Sequence, residues 1–232
     1  MKPNQHDDNG WKTRVPNVDV RVVVFTVSDG RLWVALEDRG NHRCLPRGIP
    51  SRDESLDATA TRILANQMAI PERYLEQLYS LSQVTDGEWT VSVTYLGLTI
   101  AGTAERPSNS TVWFEAEALP EPNHVDLNII QYGLVRLRAK LGYTTIAFHL
   151  LPPCFSLSEL QHVYEAVLGR ELDKRNFRRR IHAAGILEAT GDARREGSHR
   201  PARLYRFRAA HDADTYLTPA WAANNERETT AT

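Results

Sequence analysis

Between Arg170 and Arg208 the chain carries twelve Lys or Arg against five Asp or Glu, whereas residues 1 to 150 carry fifteen against eighteen. The cations are local, and a local excess of cations is the chemistry of phosphate binding. Projected at 100° per residue, Lys174 to Ala184 places Phe177, Ile181 and Ala184 on one side and Arg175, Arg178, Arg179 and His182 on the other. A basic helix is ordinarily a solvated face with both signs interspersed. Here the outward arc holds only Arg and His, which reads as DNA contact, with Arg forks suited to guanine edges. Lys174, Arg180, Arg200 and Arg203 flank the arc and suit phosphates, and Ser156, Ser158, Asn176 and Tyr205 complete the predicted contact set.

The elements that would position these residues have signals of their own. Asp173 is a plausible N-cap and Gly185 a plausible stop for the basic helix. Upstream, Ser156-Leu157-Ser158-Glu159 reads as a capping box opening a helix with Leu160, Val163, Tyr164, Val167 and Leu168 as its apolar stripe. Gly169 to Leu172 is the short turn expected between the two helices of a helix-turn-helix. Leu187–Thr190 and Arg203–Phe207 read as two strands around a basic loop, Arg194 to Arg200, which makes residues 156–208 a winged helix-turn-helix domain.

A second constellation lies between Arg39 and Ile70. Arg39, Arg47, Arg52 and Glu54 gather there, and Arg suits a pyrophosphate bound without metal; Trp33 is either core or a platform for adenine. Gly48, Glu54, Arg62, Leu64 and Ile70 stand at the spacing of the Nudix hydrolase signature, which this loop and helix resemble. Where that signature has glutamates, the chain has Ile63, Asn66 and Gln67, and Ala69 replaces its second glycine. At i, i+3, i+4 these three are expected on one helix face, where an aliphatic and two neutral amides cannot supply the anionic oxygens Mg²⁺ demands. No catalytic residue, metal site or tightly held cofactor is therefore expected.

The fold class expected is α+β: a Nudix-like α/β/α sandwich followed by the winged helix-turn-helix. Residues 1–17 are polar and read as disordered, and residues 18–143 form the ligand-sensing domain. Its strands read as Val20–Val27, Leu32–Leu36, Thr90–Ile100 and Trp113–Phe114, with a mixed apolar stretch from Tyr74 to Ser82. Its helices read as Glu54–Met68 and Asp126–Leu141. Residues 144–155, with Pro152-Pro153, read as a linker and 209–232 as a loose tail; His149 reads as a core histidine. At 232 residues and 41% hydrophobic content the chain can bury a real core. No apolar run approaches a membrane span, Met1 to Lys12 lacks the apolar region of a signal peptide, and Cys44 and Cys154 form no pair motif, so a cytoplasmic protein is expected. There is no GxxxxGK[ST], GxGxxG, HExxH or GxSxG.

Several stretches then resemble the Nudix-related transcriptional regulators, the NrtR family. They are Tyr74 to Leu78, Ile146 to Gln161, Leu172 to Arg179, Arg195 to Gly197 and Arg200 to Tyr205. The resemblance implies a homodimeric repressor that binds palindromic double-stranded DNA near genes of NAD metabolism and senses ADP-ribose or a related nucleotide. Arg47 departs from the family's Leu-Pro-Gly-Gly and either holds pyrophosphate or blocks it. Two alternatives stand beside this reading: an active pyrophosphatase using carboxylates outside the motif, such as Glu115 or Asp86, and a constitutive DNA-binding protein that has lost its ligand.

Overall fold

The computed structural model describes residues 15–40, 42–70, 73–85, 87–102, 111–119, 123–195 and 201–208. Strand β1 (Asn17–Ser28) is the axis of a seven-stranded sheet. It pairs antiparallel with β2 (Arg31–Asp38) through the Asp29-Gly30 turn, and parallel with β6 (Glu88–Leu98). The sheet continues from β2 to β3 (Arg43–Cys44) and from β6 to β5 (Tyr74–Thr85); β4 (Arg47–Gly48) adds to β1 and β7 (Thr111–Glu115) to β2. The strands run longer than predicted, and Asn17, expected in a disordered segment, already pairs with Thr90. The Tyr74 to Ser82 stretch is a full edge strand.

Alternation along β1 divides the interior. Val20, Val22 and Val24 face helix α1 (Leu56–Arg62), while Val23 and Phe25 face helix α2 (His124–Leu141). This is the expected α/β/α sandwich. A Cβ on Gly133 of α2 would come within 3.1 Å of Val23, so glycine lets that helix lie against the sheet. The predicted helix Glu54–Met68 starts two residues late, since Ser55 caps it by accepting the Ala58 N–H, and its second half, Ile63–Gln67, winds as a π-helix. Ala69 follows at φ 51, in the left-handed region where the Nudix signature has glycine.

The expectation of a linker over 144–155 is corrected. Ile146–Leu150 forms a 3₁₀ turn whose Ile146, Ala147 and Leu150 are buried, and Leu151 and Phe155 join the same apolar cluster. That cluster runs without a break from Val23 and Leu36 through Ile129 and Leu137 to Leu160, Tyr164, Phe177 and Ile181. The segment is core because five of its residues, Ile146, Phe148, Leu150, Leu151 and Phe155, are large and apolar; the Pro pair that suggested a linker is a surface bend within it. His149 is half-buried and packs against Tyr74, ring centroids 4.8 Å apart and planes tilted by 45°. Among the described residues no helix is long and apolar enough to cross a membrane.

One buried ion pair crosses the sandwich. The Arg21 guanidinium donates to Asp126 Oδ1 at 2.8 Å, and Asp126 Oδ2 accepts from the Leu45 N–H at 3.0 Å and from Asn123 Nδ2 at 2.7 Å. Both side chains are almost fully buried, so removing one partner strands a charge. Asp126→Ala is expected to lower unfolding free energy by about 3–5 kcal/mol in urea denaturation, against less than about 1 kcal/mol for an exposed pair such as Arg31–Glu115.

Candidate nucleic-acid interface and ligand groove

Helix α3 (Leu157–Leu168) opens on the predicted capping box: Ser156 Oγ accepts the Glu159 N–H and the Glu159 carboxylate accepts the Ser156 N–H. It closes at Gly169, which adopts φ 67. After the turn, Asp173 caps helix α4 (Lys174–Ala183) by accepting the Asn176 N–H at 2.8 Å. Phe177 and Ile181 bury against α3, with Tyr164 and Phe177 edge to face at 5.3 Å. Strand β8 (Phe155–Ser156) pairs with β10 (Ala202–Phe207), which pairs with β9 (Leu187–Arg194). This three-stranded sheet and two helices form a winged helix-turn-helix.

On α4, Lys174, Arg175, Asn176, Arg179, Arg180 and His182 are exposed. Among the described residues no carboxylate pairs with Lys174, Arg175, Arg178, Arg179 or Arg180; Arg179 donates to its neighbour Asn176 at 2.9 Å. Two expectations are corrected. Arg178 does not point away from the core: it is half-buried, its Nη2 lies 3.4 Å from Ser158 Oγ, and its Nε is buried without a partner among the described residues. It stands about 80° from the line between Phe177 and Ile181, at the edge that α3 covers. Ala184 is exposed, since the helix ends one residue before it.

The remaining predicted contacts are scattered in role. Ser158 is half-buried beside Arg178, whereas Ser156 is buried and its hydroxyl serves the cap. Arg203 is exposed on β10, Tyr205 is half-buried with its ring 6.0 Å from that of His182, and Arg200 lies outside the described residues. Arg194 was missed as a positioning residue. It donates to Glu159 Oε1 at 2.8 Å and to the Cys154 carbonyl at 3.1 Å, tying the root of the wing to the first turn of α3. Nothing local signals this contact across 35 residues.

In the sensor domain the four predicted ligand residues fall into two groups. Arg39 and Arg47 both act on Cys44, whose thiol is pushed up by burial against their pull. Arg39 is also held by the buried Glu37 at 2.7 Å. Arg52 and Glu54 instead line an open depression with Ser51, Ser55 and Arg62. Glu54 is not free for a ligand: Arg62 grips it at 2.7 and 2.8 Å, and it accepts the Ser51 N–H at 2.9 Å. Trp33 is half-buried, with Nε1 donating to the Ser28 carbonyl, and shares with Trp113 a slot of about 270 Å³.

Ile63, Asn66 and Gln67 do not share a face as expected. Ile63 is fully buried, Asn66 is exposed, and Gln67 Nε2 donates to the Arg47 carbonyl at 3.3 Å. The wider winding of the π-helix turns the residues at i and i+3 apart. Glu115 pairs with Arg31 at 2.6 Å, at the end of β7 remote from Gln67, and Asp86 lies outside the described residues.

A Nudix-fold domain sharing its core with a winged helix-turn-helix defines a class of regulator rather than a free-standing hydrolase. The chain belongs to the NrtR family. Residues 147–207 match the NrtR DNA-binding winged helix domain. A relative from Acinetobacter baylyi, described as an ADPR responsive transcriptional repressor NtrR, is 33% identical over 213 residues, covering 86% of this chain and 84% of the relative. Shewanella oneidensis NrtR superposes with TM-score 0.75 at 32% identity over 86% of this chain and 97% of its own. The same protein complexed with a 27mer DNA gives 0.74 at 30% over 87% and 98%. A MutT/nudix family protein from Enterococcus faecalis shares the fold at 0.67 and 19% identity, over 90% of each chain.

The Arg62 hydrogen bonds, and then the Ser51 N–H, hold the Glu54 carboxyl at about 2 against an ordinary 4.5. A depressed carboxylate stabilises the fold above its unfolded value, and that contribution is lost as pH falls from about 4.5 through about 2. The Ser51 amide resonance is expected to titrate with a midpoint near 2 and to lose that step in Glu54→Gln; a wild-type midpoint near 4.5 would show the clamp open in solution.

Proposed function

We propose that this protein is a cytoplasmic, homodimeric repressor that holds a palindromic operator through α4 and its wing, near genes of NAD-related metabolism. The observation that carries this reading is the outward arc of Arg175, Arg179 and His182, with Lys174 and Arg180 beside it and no described carboxylate paired to any of these cations. One helix-turn-helix reads only a half-site, so a two-fold dimer fits a palindrome. The Acinetobacter relative's description and the DNA complex of Shewanella NrtR support the same function.

The effector in this reading is ADP-ribose or a related nucleotide, with Arg39 and Arg47 taking the pyrophosphate and Arg52 meeting it from the neighbouring depression. Hydrolysis is absent because Ile63 lies in the core and Asn66 and Gln67 are uncharged, leaving no carboxylate set on the helix to orient metal and water. ADP-ribose is expected to raise the melting temperature without Mg²⁺, since a ligand of the folded state stabilises it by mass action. Turnover of ADP-ribose at ordinary enzyme rates with Mg²⁺ would refute the non-enzymatic part.

The exposed cations divide by role. Arg179→Ala, central on the outward arc, is expected to remove about 1–3 kcal/mol of operator affinity and relax sequence preference. Arg203→Ala on the wing strand should weaken binding to all duplexes alike and reduce the salt slope by about one. Titrations of operator and random duplex at several salt concentrations separate the two. An Arg179→Ala loss equal on both duplexes would contradict the assignment.

A further inference from the structure

We propose that Arg138, with Glu117, is the joint through which ligand occupancy in the Nudix-like domain sets the geometry of the DNA-reading helices. This rests on the function proposed above and assigns its regulation to residues that touch neither ligand.

The joint is bonded to both domains. Arg138 lies in the last turns of α2, and its Nε donates to the Val167 carbonyl at 2.8 Å, satisfying an acceptor at the C-terminal end of α3. Its Nη2 donates to Glu117 Oε1 at 3.3 Å, in the chain that follows β7. Gly169, the first residue of the turn between α3 and α4, sits directly on this pair: a Cβ there would meet Glu117 Oε1 at 3.1 Å and Arg138 Nη2 at 3.4 Å. The turn that aims α4 is thus seated on two sensor side chains.

Strand β7 connects this seat to Arg39 and Arg47, the side chains proposed above to take the effector's pyrophosphate. At its start Thr111 Oγ1 donates to the Gln67 carbonyl at 3.3 Å, where the degenerate Nudix helix ends. Gln67 in turn holds the Arg47 carbonyl, and Glu37, which grips Arg39, pairs with Thr111 across the sheet. Four residues later β7 ends at Glu115, two before Glu117, a reach of about 15–20 Å from Thr111 to Glu117 at strand rise. A ligand that shifts Arg39, Arg47 or the Nudix helix therefore moves one end of a ribbon whose other end abuts Gly169.

The contact is also built to transmit direction. The shared core beside it is apolar, and apolar packing tolerates small slides, whereas the Arg138 guanidinium bonds Val167 and Glu117 directionally. Beside it, a cleft of about 360 Å³ separates Arg31, Glu115 and Glu117 from Glu165, Arg170 and Glu171, leaving room for the turn to move.

The test uses the full chain and three titrations: ADP-ribose alone, DNA alone, and DNA with saturating ADP-ribose. The DNA is a duplex selected by the wild-type protein from a random pool. Allosteric coupling of this kind changes affinity by about 5–150-fold. In Arg138→Met, which keeps the stem and loses the fork, both single-ligand affinities are expected within about threefold of wild type while the ADP-ribose effect on DNA affinity falls toward one. Glu117→Gln, at an exposed position, should reduce the effect in the same direction and serves if Arg138→Met does not fold. A variant pair retaining the wild-type ratio would overturn the proposal. So would loss of either single-ligand affinity by more than about tenfold, which marks a support and not a joint. Wild-type protein that binds both ligands with no mutual effect would instead overturn the reading of the protein as ligand-responsive, and the joint with it.

Discussion

The Asp126 carboxylate is the point on which the positions of strand, loop and helix depend. One oxygen faces Arg21 on the central strand, and the other accepts the Leu45 N–H at the head of the β3–β4 loop and the Asn123 side chain that also caps α2. A charge this deep is costly unless every lone pair is used, and here the partners come from three separate elements. The pair therefore acts as a registry device. It fixes where Arg47 emerges and how α2 lies across the sheet, with Gly133 allowing close approach to Val23.

From α2 the same constraint reaches the reading domain. The far turns of that helix carry Leu137 and Leu141 into the shared core, Arg138 to the end of α3, and Lys140 to Tyr74 and Glu76 on the edge strand. Because the segment 146–155 is packed rather than tethering, the two domains have one hydrophobic interior. Relative motion between them must then be a small repacking, which favours two discrete arrangements over free swinging.

The helix that resembles the Nudix signature keeps part of it in a structural role. Glu54 and Arg62, two of its surviving signature residues, bind one another and brace the loop. The positions where the signature has glutamates carry a buried aliphatic, an exposed amide and an amide that bonds to backbone. The left-handed turn after them persists although Ala69 now occupies it, so the tertiary contacts of Met68 and Ile70 override local preference there.

Sequence alone determined whatever depends on neighbours along the chain. The capping box at Ser156, the Asp173 cap, the Phe177 and Ile181 stripe and the β1 alternation are all set by periodicities of two or about 3.6 and by caps within a few residues. Tertiary structure decided the rest: that 144–155 is core, that Arg178 lies at a covered edge, that Arg39 and Arg47 part from Arg52 and Glu54, and that Ile63 turns inward. It also decided the contacts Arg194–Glu159, Arg138–Val167 and Arg21–Asp126, which join residues 35, 29 and 105 apart. Local pattern fixes which face a side chain takes on its own element, but which of several charged side chains meet depends on how elements cross, and that is set by the packing of the common core.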